Sequence, residues 1–230
     1  MNKREFEAKI GYNFNNRKLL ETALTHSSYA REHDMGNYRS NERMEFLGDA
    51  FFDAISGLAL FEKMPHAREG VLSKTRSLVV CEDSLAKVGE KIEIGKFIDL
   101  GVGEEKSGGR TKKSIIADAT EALIGAIFLD GGYEAASDFV LREFGQTLRD
   151  AADGKLVSDY KTTLQEILQQ DGKMHKIVYR IDKTEGPDHD KIFFVTLVLE
   201  GKEMGNGKGK TKKEAEQNAA RMTIEKGYLD

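Results

Sequence analysis

A long apolar segment in the first third of the chain, residues 41–64, carries a helical pattern. Its larger apolar side chains recur every three or four positions, at Met44, Leu47, Phe51, Ile55 and Leu58. Such spacing predicts an α-helix, and Pro65 marks the place where the helix must break. Because apolar residues occupy most of its circumference, we expect this helix to be buried in a larger core.

The same segment carries three acidic residues, Glu42, Glu45 and Asp49, at steps of three and four positions. These steps place the three carboxylates on one stripe of the helix, where like charges repel one another. A carboxylate beside an apolar core is costly unless a positive charge compensates it. An acidic stripe on an apolar helix therefore indicates a binding site for a cation.

A second apolar segment, residues 114–132, repeats this combination. The pattern predicts a helix that Ser114 caps and a glycine ends. Asp118 and Glu121 lie three residues apart, so they share one face of this helix. We therefore have two predicted apolar helices, each with its own acidic stripe.

If the two helices cross, their carboxylates can form one metal site. The predicted ligands are Glu45, Asp49, Asp118 and Glu121. Ligand sets made only of carboxylate oxygens suit Mg²⁺ or Mn²⁺ rather than Zn²⁺. Gly48 and Gly125 lie near these acids in sequence, and we expect them to allow close approach of the two backbones.

Helical periodicity also dominates the rest of residues 1–150. Residues 1–30, 66–90 and 133–150 show apolar positions at helical spacing, whereas residues 31–40 and 95–113 are polar and glycine-containing, which predicts loops. His26 is expected to have a structural role, because nothing near it in sequence completes a nucleophile–base pair. The polar residues 151–158 then predict a linker between two domains.

The last third of the chain changes from helical spacing to alternation. A short helix at 159–170 precedes two β-strand patterns at 175–183 and 192–200, and a third short strand is expected at 201–204. A final helix begins with Thr211 and Glu214, which match a capping box. The predicted order of elements is α-β-β-β-α.

The charged residues indicate a local cluster of positive charge rather than a basic protein overall. The 230 residues carry a formal net charge of −4, and the 13 basic and 13 acidic residues of 156–230 leave that part without net charge. Bulk basicity is common in nucleic-acid binders, so any nucleic-acid site must be local here. The chain offers one such cluster, beside glycines at a predicted helix N-terminus, where exposed backbone amides favour phosphate; it comprises Lys208, Lys210, Lys212 and Lys213.

Cysteine usage and hydropathy bear on the compartment. The single Cys81 cannot form an internal disulfide, as expected in a reducing compartment. The first ten residues contain no apolar signal core, and no segment is long and apolar enough to cross a membrane. We therefore expect a cytoplasmic protein.

Several of these segments together resemble the ribonuclease III family. NERMEFLGDA at 41–50 resembles the family signature, and IIADATEALIGAIFLD at 115–130 resembles its second acidic motif; GYNFNN, LTHSSY and EEKSGG follow the family order. GNGKGKTKKEAEQNAA at 205–220 resembles the tail of a double-stranded-RNA-binding domain. The resemblance implies an all-α endonuclease domain at 1–150, a linker at 151–158 and a small α+β RNA-binding domain at 159–228.

The resemblance implies a function as well. It implies an endonuclease dependent on Mg²⁺, or on Mn²⁺ as a substitute, that cleaves double-stranded RNA and leaves 5′-phosphate and 3′-hydroxyl ends with short 3′ overhangs. It further implies the processing of ribosomal RNA precursors and structured messenger RNAs by a homodimer, in which Phe46 inserts into the second copy. The alternative for Phe46 is an ordinary place in the core of its own chain.

Individual residue roles also follow from the resemblance. Asp49 and Glu121 are expected to act in catalysis, with Glu42 and Glu69 near the scissile phosphate. Glu69 is equally consistent with an exposed acid at a helix start. The residues expected to contact RNA grooves and phosphates are Thr162, Gln165, Glu166, Gln169, His189, Lys210, Lys212 and Lys213.

Two other classes of protein stay open on the sequence alone. One is a double-stranded-RNA-binding protein without catalytic activity, although all four predicted metal ligands are present. The other is a carboxylate-bridged metalloenzyme built on a helical bundle. Di-iron bundles carry Glu-x-x-His pairs, and neither acidic helix has a histidine three residues after a glutamate.

Overall fold

A computed structural model describes residues 3–36, 39–156, 159–169, 175–187 and 191–226, and divides the chain into two compact units, 1–156 and 157–230. The first unit is helical within its described residues. Its α-helices are α1 (Lys3–Ile10), α2 (Arg17–Ala23), α3 (Ser27–Glu32), α4 (Glu42–Lys63), α5 (Glu69–Val79), α6 (Glu82–Lys91), α7 (Val102–Lys106) and α8 (Lys113–Ala152), and 3₁₀ turns cover Ile94–Lys96 and Gly109–Thr111.

The core of the first unit forms around α8. This helix packs most extensively against α4, and it also contacts α6, α2 and α5. Its first half, from Ile115 to Ile127, is almost fully buried except at the acidic positions. Because α4 and α8 are the two helices that carry the acidic stripes, the centre of the core and the predicted site share one helix pair.

The course of α8 corrects two details of the prediction. Lys112, not Ser114, stands at the N-cap, and it makes no side-chain capping bond. The predicted glycine end corresponds to a kink at Gly132, where φ is 77° and ψ is −170°. Beyond this kink the helix resumes and reaches Ala152, two residues into the segment predicted as a linker.

The buried face of α4 also differs from the prediction. Met44 and Ile55 are buried as expected, but Phe52, Ala59 and Leu60 complete the buried face. Leu58, predicted inside, is 47% exposed, and Phe46 and Phe61 are exposed as well. The helix has two apolar faces, and only one of them packs on α8. The spacing of apolar residues alone could not show which face would be buried.

The second unit has the predicted α-β-β-β-α order in its described residues. Helix α9 and helix α10 cover Tyr160–Gln169 and Lys212–Glu225, and the strands are β1 (Ile177–Glu185), β2 (Ile192–Leu199) and β3 (Lys202–Gly209). The sheet is antiparallel in the order β1-β2-β3, with a register irregularity in each strand pair. The small core joins one sheet face to both helices through Leu164, Val195, Leu197, Ala215, Ala219 and Ala220.

Strand β3 is twice as long as the predicted 201–204 strand, because glycines continue it to Gly209. A Cβ atom built on Gly207 would lie 2.1 Å from the carbonyl oxygen of Ala215 in α10, and one on Gly205 would lie 2.6 Å from that of Ala219. The alternating glycines therefore let α10 lie directly on the strand.

No helix within the described ranges is long and apolar enough to cross a membrane.

Candidate functional site

Two glycines set the crossing of α4 and α8. A Cβ atom built on Gly48 would lie 1.8 Å from the carbonyl oxygen of Glu121, and one on Gly125 would lie 2.4 Å from the carbonyl oxygen of Met44. Real side chains cannot occupy such positions, so only glycine permits this backbone approach. The predicted close approach is present, and it brings the backbone of Glu121 against the turn of α4 that lies between Glu45 and Asp49.

The pKa shifts of the acidic residues show that the crossing brings the predicted acids close to one another. Burial, reinforced by the charges of Asp49, Glu45 and Asp118, raises the pKa of Glu121 to about 8. Burial and the neighbouring carboxylates also raise the pKa of Glu45. Carboxyl groups whose pKa is raised by burial and by neighbouring carboxylates lack a compensating positive charge, so the group favours an incoming cation.

The four side chains are grouped electrostatically without forming a tight coordination cluster. In the described parts of the chain, no three His, Cys, Asp or Glu side chains are arranged as a ready metal-binding group. The donor chemistry nevertheless fits a hard divalent cation, because the donors at this crossing are carboxylate oxygens. The residues that would hold such a cation are Glu45, Asp49, Asp118 and Glu121.

The two further predicted acids lie in different settings. Glu42 is the first residue of α4, accepts a hydrogen bond of 3.1 Å from Ser40, and raises the pKa of Glu45. Glu69 is the first residue of α5, is exposed, and accepts a 2.8 Å hydrogen bond from Ser73. The structure therefore joins Glu42 to the acidic group and does not join Glu69 to it.

Asp53, one turn beyond Asp49, is locally paired: its carboxylate lies 3.7 Å from the guanidinium of Arg76. Its charge still contributes to the raised pKa of Glu121. Asp53 is thus at the edge of the acidic group, on the side of α5.

His26 lies beside the acidic group, and its structural role is confirmed: it is the N-cap residue of α3. Its backbone amide donates to the carbonyl of Asp99, and the preceding Thr25 carbonyl accepts from Asn41, the residue before α4. Burial lowers the pKa of His26, although Glu104, Asp118 and Glu42 oppose that effect. Sequence reasoning did not place this imidazole near the acids, because residues 26, 42 and 118 are distant in the chain.

The glycine- and lysine-rich loop at 95–113 is an ordered part of the first unit. Arg110 donates hydrogen bonds of 2.9 Å to the carbonyl oxygens of Gly95 and Ile98, and its Nε lies 2.6 Å from Glu105. Lys112 and Lys113 form ion pairs with Glu104 and Asp83. Arg110 therefore serves to hold the loop.

The residues expected to read RNA on α9 share one stripe, at positions 162, 165, 166 and 169. Gln165, Glu166 and Gln169 are exposed, while Leu164 on the opposite face is fully buried. The hydroxyl of Thr162 donates a 2.7 Å hydrogen bond to Asp159, which also accepts from the backbone amide of Thr162. Three of the four side chains of this stripe therefore lie at the surface, and His189 lies outside the described residues.

The predicted capping box at the start of α10 is present. Thr211 accepts a hydrogen bond of 3.1 Å from the backbone amide of Glu214. The Glu214 carboxylate reaches back to the amide of Lys210, one residue earlier than the usual partner. Lys208, Lys212 and Lys213 are exposed around this turn, so the lysine cluster borders a rigid helix start.

Phe46 is 79% exposed on α4, so the alternative that it belongs to the core of its own chain is excluded. It shares the exposed apolar part of α4 with Leu58 and Phe61. Exposed aromatic surface of this kind marks an interaction site.

Comparison with protein families gives two matches. Residues 16–148 match the family model described as ribonuclease-III-like, and residues 160–226 match the double-stranded RNA binding motif. The first match covers α2 to α8, and the second covers α9 to α10.

Individual relatives match over nearly the whole chain. Ribonuclease 3 of Clostridium acetobutylicum is 50% identical over 94% of this chain and 93% of its own length, and that of Geobacillus thermodenitrificans is 46% identical over 96% and 89%. A solved nuclease domain of ribonuclease III from Campylobacter jejuni, described with flexibility in a region involved in dimer formation, covers 63% of this chain and 97% of its own, with 42% identity and a TM-score of 0.59. The chain therefore belongs to the ribonuclease III family and carries a C-terminal double-stranded-RNA-binding motif.

Proposed function

We propose that this protein is a divalent-metal-dependent endonuclease that cleaves double-stranded RNA into products with 5′-phosphate and 3′-hydroxyl ends. The single observation that carries the proposal is the α4–α8 crossing, where burial and the neighbouring acids of both helices together raise the pKa of Glu121 to about 8. Family membership and the RNA-binding motif supply the substrate class.

In this proposal the four carboxylates Glu45, Asp49, Asp118 and Glu121 hold Mg²⁺, with Mn²⁺ as a substitute, and Glu42 lies near the scissile phosphate. Glu69, which the structure does not join to this group, is placed near the scissile phosphate by the family resemblance alone. A divalent cation held by these carboxylates would supply an activated water for in-line attack on phosphorus and would stabilise the leaving oxygen. Water attacks the phosphorus, the bond to the 3′-oxygen breaks, and that oxygen takes up a proton. No 2′-oxygen attacks, so no cyclic phosphate forms.

The RNA-binding role is proposed for the second unit, within the predicted domain 159–228. Domains with this motif read the shape of A-form RNA across two successive minor grooves and the phosphates between them, over about 16 base pairs. The exposed stripe of Gln165, Glu166 and Gln169 suits one minor groove, and the exposed Lys212 and Lys213 suit the intervening phosphates. This division leaves 1–150 as the catalytic domain and 151–158 as the linker.

We also propose that the enzyme acts as a homodimer. A duplex has two strands, and each chain offers one acidic group, so a symmetric pair can cut both strands. The exposed Phe46, with Leu58 and Phe61, provides apolar surface on the same helix that carries the acids. Processing of ribosomal RNA precursors and structured transcripts is proposed as the biological use.

A substrate panel tests the proposal. Purified full-length protein is incubated with a perfect RNA duplex, the same RNA as a single strand, and a DNA duplex of equal sequence, with Mg²⁺ or with EDTA. We expect cleavage of the RNA duplex alone, only with Mg²⁺, into fragments that a 5′-phosphate-dependent exonuclease degrades. Duplex binding without cleavage under Mg²⁺ or Mn²⁺ would instead assign the chain to the non-catalytic RNA-binding class.

A further inference from the structure

The N-cap role of His26 leaves one of its two ring nitrogens unused. The Nδ1 atom accepts a hydrogen bond of 3.2 Å from the backbone amide of Ser28, and it lies 2.8 Å from the Ser28 hydroxyl oxygen. Within the described ranges, the Nε2 atom makes no hydrogen bond with the protein. His26 is therefore a capping residue with a second polar atom still available.

The surroundings of Nδ1 fix where the imidazole proton must be. The Ser28 hydroxyl oxygen accepts a 2.9 Å hydrogen bond from the backbone amide of Gly101, so its own hydrogen can point to Nδ1. The Ser28 amide donates to Nδ1, so Nδ1 is the unprotonated, accepting nitrogen of the ring. In a neutral imidazole the proton then belongs to Nε2, which becomes a donor.

Backbone hydrogen bonds on both sides of His26 fix the position of its backbone, and therefore of the ring that carries the Nε2 donor. Its amide donates to Asp99 at 3.1 Å, and Thr25 and Asn41 form a 2.8 Å backbone bond next to it. The ring is within electrostatic range of Glu42 on α4 and Asp118 on α8. A cleft of about 510 Å³ is lined by Ser27, the residue after His26, together with Arg31, Ser40 and Glu42 among others.

We propose that the Nε2–H of His26 donates a hydrogen bond to an RNA backbone oxygen beside the scissile phosphate, and so positions the strand against the acidic group. The inference rests on the proposed function, because it supplies a further contact for the same cleavage site. Oxygen atoms of the RNA backbone, either a non-bridging phosphate oxygen or a 2′-hydroxyl, are the acceptors available at such a site. Acid side chains beside the strand repel its phosphates, so a neutral donor at this place is chemically useful.

Two substitutions test the capping role of His26 and its proposed role as a hydrogen-bond donor separately. His26→Asn places an amide oxygen close to the position of Nδ1, and asparagine is a preferred N-cap residue, so the cap survives while the distal donor is lost. His26→Gln keeps an N–H near the position of Nε2 and loses the short capping acceptor. His33→Asn, at the exposed other end of α3, is the matched control.

The experiment measures single-turnover cleavage of an RNA duplex, duplex binding and the melting temperature of each full-length variant. We expect His26→Asn to cleave about tenfold more slowly than wild type, the effect of one hydrogen bond, with its melting temperature unchanged. His26→Gln should melt at a lower temperature and recover part of the lost rate. Cleavage by His26→Asn at the wild-type rate, or equal loss of rate in both His26 variants, would overturn the proposal.

Modified substrates identify the acceptor. If it is a 2′-hydroxyl, 2′-deoxy nucleotides flanking the scissile bond should slow the wild type and leave His26→Asn no slower than before. If the rate loss from the 2′-deoxy substitution and the rate loss from His26→Asn multiply when they are combined, the acceptor is a phosphate oxygen. The wild type and Glu121→Gln show whether the proposed function itself holds. If the wild type cleaves the duplex and Glu121→Gln does not, the proposed function stands, and the His26 variants test only the His26 contact.

Discussion

The Cα of Gly48 faces the backbone carbonyl of Glu121 so closely that an added Cβ atom would lie 1.8 Å from that oxygen. This relationship links the sequence to the site. Gly48 lies between Glu45 and Asp49 on α4, and Glu121 is itself one of the acids on α8. The backbone contact that holds the core together is therefore also the contact that groups the carboxylates.

We predict that Gly48→Ala lowers the free energy of unfolding of the first unit by at least about 2 kcal/mol, because the methyl group must push the two helices apart. Duplex cleavage should be lost at temperatures where the variant is still folded. Gly57→Ala is the control on the same helix, since its Cβ would meet only the Arg76 side chain at 3.7 Å. That variant should gain up to about 1 kcal/mol from helix propensity. Equal stability of the two variants would refute the contact.

A second prediction concerns Phe46. Phe46→Ala should weaken self-association, because it removes the most exposed large apolar side chain among the described residues. Sedimentation equilibrium of wild type and variant measures the dimer dissociation constant, and we expect it to rise at least tenfold in the variant. Val102→Ala, which removes a 61% exposed side chain on α7, is the control and should dimerise like wild type. An unchanged dimer dissociation constant for the Phe46 variant would show that the dimer interface lies elsewhere.

A third prediction tests the role of the glycines in β3. Gly207→Ala should destabilise the RNA-binding unit, because its Cβ would lie 2.1 Å from the Ala215 carbonyl oxygen. Hydrogen exchange in the full-length protein should show lost protection in β3 and α10, with α4 and α8 unaffected. The neighbouring Lys208→Ala should keep this protection and weaken duplex binding by a few fold, through the loss of one positive charge. Intact protection in Gly207→Ala would contradict the packing role.

A fourth prediction concerns the stability of the second unit at low pH. Hydrogen bonds from Gln217 and Thr162 lower the pKa of Asp159 to about 2, from 3.8 when unperturbed. A lowered folded-state pKa means that the unfolded chain binds a proton first as pH falls. The stabilisation is therefore complete above about pH 4 and is lost as pH falls towards 2. Hydrogen exchange of β1–β3 should show this loss, and Asp159→Ala should reduce the pH dependence between those values; the lowered pKa of Asp182 accounts for part of what is left.

The helical first domain and the α-β-β-β-α second unit could be predicted because their periodicities are strong and their ends carry ordinary signals, such as Pro65 and Thr211. The side of α4 that is buried could not be predicted. Leu58 and Phe61 have the same apolar chemistry as Phe52 and Leu60, and only the packing on α8 distinguishes them.

The acidic group could be predicted from spacing on two helices, and Gly48 and Gly125 were a usable signal for the crossing. Other features depend on contacts distant in sequence. Arg110 directs its charge to loop carbonyls, and His26 reaches the neighbourhood of Asp118 only through the bonds of residues 25 and 26 to Asn41 and Asp99. The β3 glycines did carry a signal, since they alternate at 205, 207 and 209, but a strand was not expected to continue through them.

The most direct test of the account is a paired measurement on Glu121→Gln: the rate of RNA duplex cleavage in Mg²⁺ and the dissociation constant for the same duplex. Glutamine keeps the size of the side chain but cannot ionise to bind a cation, so the fold should persist. We predict that cleavage falls by at least about a thousandfold, as for loss of a principal catalytic group, while the dissociation constant stays within about threefold of wild type. Cleavage at the wild-type rate would contradict the assignment of the acidic group at the α4–α8 crossing as the catalytic site.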